Sequence, residues 1–108
     1  MTTRYASEFG AFEISPIPGQ PQLAHCHGFF IVPAGRGKGL GTQQKLEQMR
    51  LLDESLYDYA TCTVDAENAA QKRVLTKTGW TFLVAFDNRR TGKKTELWGW
   101  EIGGEDNG

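Results

Sequence analysis

The stretch Phe29-Phe30-Ile31-Val32-Pro33-Ala34-Gly35-Arg36-Gly37-Lys38-Gly39-Leu40-Gly41-Thr42 decides how this chain is read. An apolar run ends at a proline, glycines alternate from Gly35 to Gly41, and a helical pattern starts near Gly41 or Thr42. A strand that passes through glycines into a helix is an anion site in outline. The first amides of a helix have no acceptor within it, and the helix dipole turns its positive end the same way. Glycines let the backbone come close enough for those amides to cradle phosphate oxygens. Arg36 and Lys38 add charge at the same place, and Thr42, Gln43, Gln44 and Lys45 put no acidic residue in the first turn. Two nucleotide motifs are excluded. The P-loop needs a glycine five residues before Gly37 and a Ser or Thr after Lys38, and has neither here. The dinucleotide fingerprint fails because the loop reads Gly-x-Gly-x-Gly from Gly37.

Working outward, Leu23 to Val32 reads as a strand whose second half, Phe29 to Val32, suits cover on both faces. Phe9 to Ser15 is a shorter strand, and the three prolines between Pro16 and Pro21 mark a loop. After the glycines, Leu46, Met49, Leu52 and Leu56 recur at helical steps and predict a buried stripe. Tyr57 to Asp65 alternates, with Ala60, Cys62 and Val64 on one face and Tyr59, Thr61 and Thr63 on the other. A second helix is expected from about Glu67 to Thr78, with Ala70 and Val74 on one face, Leu75 beside them, and Gly79 as its stop. Trp80 to Asp87 and Thr95 to Ile102 read as two strands around a turn at Asn88 to Gly92, with Trp80, Phe82, Val84 and Phe86 sharing one face. The pattern is that of an α/β or α+β sheet with helices packed on it.

Composition bounds the function. The chain has 108 residues, 39% apolar and 23% charged, which fits one globular domain over 1–102 and a polar, disordered tail over 103–108. A net charge of −1 argues against nucleic-acid binding by bulk charge. No apolar run is long enough to span a membrane, and the N-terminus lacks a secretory pattern, so a cytoplasmic location is expected. Cys26 and Cys62 read as free thiols of a reducing compartment. His25-Cys26-His27 alternates across a strand and has no second ligand pair at zinc spacing, so no metal is expected.

The residues Arg36-x-x-Gly39-x-Gly41, preceded by Ile31-Val32-Pro33 and followed by a helix bearing Leu46, resemble the acetyl-coenzyme A signature of GNAT-family N-acetyltransferases. A second stretch is similar too: Asn68, with Val74, Leu75 and Lys77, leading to Gly79-Trp80. The variant from Arg73 to Gly79 looks closest to the ribosomal-protein and aminoglycoside branch. The resemblance covers roughly Leu23 to Ile102. It implies a mixed, mostly antiparallel sheet of about six strands with two main helices, without the family's N-terminal helices, since only 22 residues precede Leu23.

It also implies a cosubstrate, acetyl-coenzyme A, and a primary-amine acceptor, a small molecule or a protein. Amides from Gly37 through Lys38, Gly39, Leu40 and Gly41 to Thr42 would hold the pyrophosphate beside Arg36. The edge of Phe29, Phe30 and Ile31 would pair with the pantetheine arm as an added strand, and Asn68 would contact it; Lys72 or Arg73 would reach the ribose phosphate. For catalysis, the family's frequent acid position is Leu75 here, and its frequent carboxylate base position is Thr63. Another branch puts a base eleven residues ahead of the loop arginine, which is His25. Tyr57, Tyr59 and Cys62 are further proton donors by residue type. Without the N-terminal helices, the acceptor site is open or a second subunit completes it, and a clipped sheet favours a homodimer. Three functions follow from this reading: an N-acetyltransferase, a non-catalytic acyl-coenzyme A-binding module, or a partner-binding domain that keeps only the fold.

Overall fold

The structure is a computed structural model and describes residues 1–103. From residue 104 on, the expected tail lies outside the described residues. The strands are β1 (Thr3–Ser7), β2 (Gly10–Ile17), β3 (Gln20–Ile31), β4 (Tyr59–Asp65), β5 (Thr81–Asn88) and β6 (Lys93–Glu101). The helices are α1 (Leu40–Asp53) and α2 (Ala69–Lys77). They form one six-stranded sheet, ordered β1-β2-β3-β4-β6-β5. Only β3 and β4 run parallel. The sheet expected from the sequence is therefore the one formed. No α-helix precedes α1 among the described residues, and none of the helices is long and apolar enough to cross a membrane.

Both helices lie on one face of the sheet. That face carries Phe12, Ile14, Ala24, Cys26, Ala60, Cys62, Val64 and Trp98, and with Leu52 of α1, Leu75 of α2 and Trp80 these form the core. The alternation expected along β4 holds: Ala60, Cys62 and Val64 are buried, while Tyr59, Thr61 and Thr63 face the other way. On that far face the Tyr59 hydroxyl fills the space a Cβ at Gly99 would need. Only glycine lets the ring lie flat there.

Several expectations are corrected. The sequence reading missed β1, which has no core-facing alternation because its residues are mostly exposed. The prolines do not exclude pairing: β2 continues through Pro16 to Ile17, and β3 begins before Pro21. Pro16 lies beyond the stretch paired with β1, next to a register shift, and Pro21 precedes the first β3–β4 pair. A missing amide costs no ladder bond at such edges.

The stripe expected on α1 is displaced. Leu46 is half exposed, and Leu56 lies beyond the helix end, 97% exposed. The buried face is Gln44, Lys45, Gln48 and Leu52. Periodicity missed it because three of those four residues are polar. Gln44 is accommodated by donating its amide to the carbonyls of Ala11 and Phe30, both at 3.1 Å. On α2 only Leu75 is buried, while Ala70 and Val74 turn toward a cavity. Along β5 a bulge between Phe82 and Val84 breaks the expected alternation, and the strand is an exposed sheet edge.

Candidate functional site

The site begins where β3 and β4 part. The two strands pair in register from Leu23↔Tyr59 to Cys26↔Cys62 and no further, although β3 runs on to Ile31 and β4 to Asp65. On its other side β3 stays paired with β2 as far as Ile31↔Gly10. The β4-facing edge from Gly28 to Ile31 therefore has no strand partner. The run Phe29-Phe30-Ile31 is apolar for this reason, and not because both faces are covered: Phe30 is 51% exposed.

The chain then makes a short 3-10 turn at Pro33–Gly35 and enters α1 through glycines. Gly37 and Gly39 have φ of 78° and 77°, which other residues rarely adopt. Gly39 is the N-cap of α1. It provides no side-chain cap, and no acidic residue stands in the first turn. The amides of Leu40, Gly41 and Thr42 thus point out of an uncapped, dipole-positive helix end. Arg36 folds back over the loop and donates from Nε to the Ile31 carbonyl at 3.0 Å, leaving the rest of its guanidinium for an anion.

These features enclose a cavity of about 550 Å³ lined by Phe29, Phe30, Ile31, Arg36, Gly37, Gly39, Gly41, Thr42, Asn68, Ala70, Gln71 and Val74. It gathers nearly every residue singled out as cofactor-binding. Lys38 and Leu40 are absent from its lining: Lys38 is exposed, and a Leu40 methyl packs over Gly35. Asn68 caps α2, its Oδ1 accepting from the Gln71 amide at 3.1 Å. Lys72 and Arg73 lie outside this cavity, and the Lys72 ammonium is engaged with Glu96 Oε2 at 3.2 Å.

A second cavity, about 300 Å³, continues inward to the point where the strands meet. Its lining includes Cys26, His27, Gly28, Lys45, Cys62 and Thr63, and it shares Phe29, Asn68 and Gln71 with the first. Lys45 was not foreseen as a site residue. Its one signal in the sequence is a lysine one turn inside the helix that follows the glycine loop.

The catalytic candidates are spread differently. His25 lines neither cavity. It stands on the far face of the sheet, with Nδ1 2.8 Å from Thr61 Oγ1. That hydroxyl also donates to the Ala24 carbonyl at 3.4 Å, which favours a proton on Nδ1 and leaves Nε2 as the acceptor. Burial, then the neighbouring His27, lowers the His25 pKa, so the ring is neutral near pH 7. His27 stacks beside it and contacts Ser15 Oγ at 2.8 Å and Glu13 at 3.5 Å. Leu75 is fully buried in the core and Thr63 is exposed. Burial raises both thiols, Cys26 to about 12, so neither is a ready nucleophile or proton donor.

No protein-family model matches the sequence, and no curated protein does. The fold, by contrast, has many solved counterparts. An acetyltransferase of the GNAT family from Streptococcus pneumoniae superposes with a TM-score of 0.79 at 18% identity, over 88% of this chain and 60% of that one. YncA from Salmonella typhimurium, solved with its cofactor acetyl-CoA, gives 0.76 at 16% identity over 87% and 58%. The ribosomal-protein-S18-alanine N-acetyltransferase from Escherichia coli gives 0.73 at 14% identity over 91% and 65%. The chain thus spans about three fifths of the length of these proteins. Sheet order, the single parallel pair and the glycine loop at its open end together give this chain the fold of the GNAT-family acetyltransferases.

Proposed function

We propose that this chain binds acetyl-coenzyme A along the two cavities and moves the acyl group directly to a primary amine. The observation that carries the reading is the convergence on one cavity of an uncapped helix end, an unpaired strand edge and Asn68. The amides of Leu40, Gly41 and Thr42, with Arg36, suit the pyrophosphate. The edge at Phe29 to Ile31 suits the amides of the pantetheine arm by strand addition. The thioester supplies an activated acyl carbon, and an amide near Gly28 or Phe29 would polarise its carbonyl.

His25 is the base in this proposal, drawing the amine's proton from the open far face directly or through water. That assignment rests on its neutral ring and on Thr61, which fixes the tautomer. The acceptor approaches from the face that carries no helix among the described residues. The exposed apolar edge of β5, with Phe82, Leu83, Val84 and Phe86 each more than 40% exposed, supports a homodimer. Its acceptor is an amine on a small molecule or a protein, and the place of action is the cytoplasm.

A second reading, a non-catalytic acyl-coenzyme A-binding module, is favoured by Leu75, whose burial leaves the family's frequent acid position without an acid. Two measurements decide. Acetyl-coenzyme A should raise the melting temperature, because it binds the native state alone; no shift would sink both readings. Release of free thiol in the presence of an amine panel and peptides should then occur for the enzyme and not for the module. Unchanged turnover in His25→Ala would remove the base.

A further inference from the structure

Lys45 lies on the inner face of α1, only 1% exposed. Its Nζ donates to Gln48 Oε1 at 2.7 Å and lies 4.7 Å and 4.6 Å from the ring centroids of Phe29 and Trp80. No carboxylate pairs with it among the described residues. The groups around it are short of acceptors as well: Gln48 Nε2 and Trp80 Nε1 are buried with no hydrogen-bond partner. An ammonium has three protons to donate, and here one is taken. Buried donors left unpaired are costly, so such a cluster calls for an acceptor.

The position of the lysine indicates which acceptor. Lys45 lines the inner cavity beside Cys26 and Cys62, the last register pair before the strands separate. A ligand entering from the glycine loop along Ile31, Phe30 and Phe29 reaches this end last. The cavity also carries the polar side chains of His27, Thr63, Asn68 and Gln71, and Lys45 is the one lysine or arginine in its lining. Asp65 also lines the cavity, but three residues along β4 from Cys62, about 10 Å at strand rise. It is exposed, and its Oδ1 already accepts from the Glu67 amide.

We propose that the inner cavity receives the acyl part of the thioester, and that Lys45 selects acyl groups ending in a carboxylate, of the malonyl or succinyl type, over neutral groups of equal length. The inference rests on the coenzyme A reading above. Folding has already stripped water from the lysine, and that burial lowers its pKa. A carboxylate placed beside it favours the charged form again, so acyl end and ammonium stabilise each other in a low-dielectric pocket. An acetyl group would leave the ammonium as unpaired as it is in the free protein.

The test compares succinyl-coenzyme A with butyryl-coenzyme A, equal in length and different in end charge, by calorimetry on the full chain. Succinyl-coenzyme A should bind about tenfold tighter or better, the scale of one charge-assisted hydrogen bond. Lys45→Met should erase that preference, bringing the two thioesters to equal affinity; a preference that survives in the variant would overturn the role of Lys45. The comparison on the unmodified protein decides by itself if the variant does not fold. Equal affinities for the two thioesters, with free coenzyme A still bound, would overturn the selection by Lys45 alone. Failure of free coenzyme A to bind would overturn the cofactor reading and this inference together.

Discussion

Cys26 and Cys62 are register partners on neighbouring parallel strands, and theirs is the last pair before the strands part. Every feature of the candidate site is measured from that point. Toward the N-terminal side the sheet is closed and its core face is filled. Beyond it the edge of β3 is open, the glycine loop lies at the far end, and Lys45 stands at the near one.

Both thiols are buried at this junction, with Cys26 pushed up to about 12. The thiolate is the reactive form. In the native protein at pH 8 neither cysteine should react with iodoacetamide over an hour, and both should react in denaturant. Mass spectrometry counts the adducts, and rapid native labelling would show that the slot opens more widely than the structure has it.

The two glycines at the helix start should separate stability from binding. Gly39 is left-handed, and a side chain there costs about 1–2 kcal/mol. Gly39→Ala should therefore lower the melting temperature by roughly 4–8 °C per kcal/mol and displace the amides that face the anion. Gly41 is helical, and a Cβ there would sit 3.8 Å from Val74 and 4.0 Å from Ile31, ordinary contacts. Gly41→Ala should melt at the same temperature or higher, while its Cβ, set between two residues that line the cavity, should reduce the thermal shift with acetyl-coenzyme A.

The lowered pKa of His25 gives stability a pH dependence with a definite sign. The unfolded chain takes up the imidazole proton near 6.5 and the folded one only at lower pH. The stability that comes with the neutral ring is complete above 6.5. It is lost as the pH falls from there through the folded pKa. His25→Gln should flatten the melting curve across that window; an unchanged slope would mean that the ring is not buried as described.

The exposed edge of β5 should hold two copies together. Val84→Lys places a charge in the middle of that edge without touching the buried core, since Val84 is 48% exposed. Sedimentation should then show a monomer with an unchanged circular-dichroism spectrum and, for the unmodified chain, a dimer. A monomeric unmodified chain at tens of micromolar would end the dimer proposal.

The far face offers a packing test. Gly99→Ala must push the Tyr59 ring off the sheet, and overpacking of this kind costs about 1–3 kcal/mol. Urea denaturation should show a lower midpoint with an unchanged slope. Tyr59→Ala in the same background should restore part of the loss.

The sequence by itself determined the strand–glycine–helix unit, the two helices, five of the six strands, and the alternation of β4. Each rests on local rules: glycine conformations, helix starts, and the two-residue period of a strand. The loop residues Arg36, Gly37, Gly39, Gly41 and Thr42 stand at the junction those rules mark, whereas Asn68 was singled out by the family resemblance; all six line one cavity. Tertiary structure alone decided the rest. Pairing that stops at Cys26 and Cys62 turned the apolar run at Phe29 from core into cavity wall. Gln44, Lys45 and Gln48 became the inner face of α1 because open strand carbonyls and aromatic rings received them. Periodicity reads hydrophobicity along one element. It has no access to the partners that a neighbouring element supplies, and a buried lysine is intelligible only through those partners.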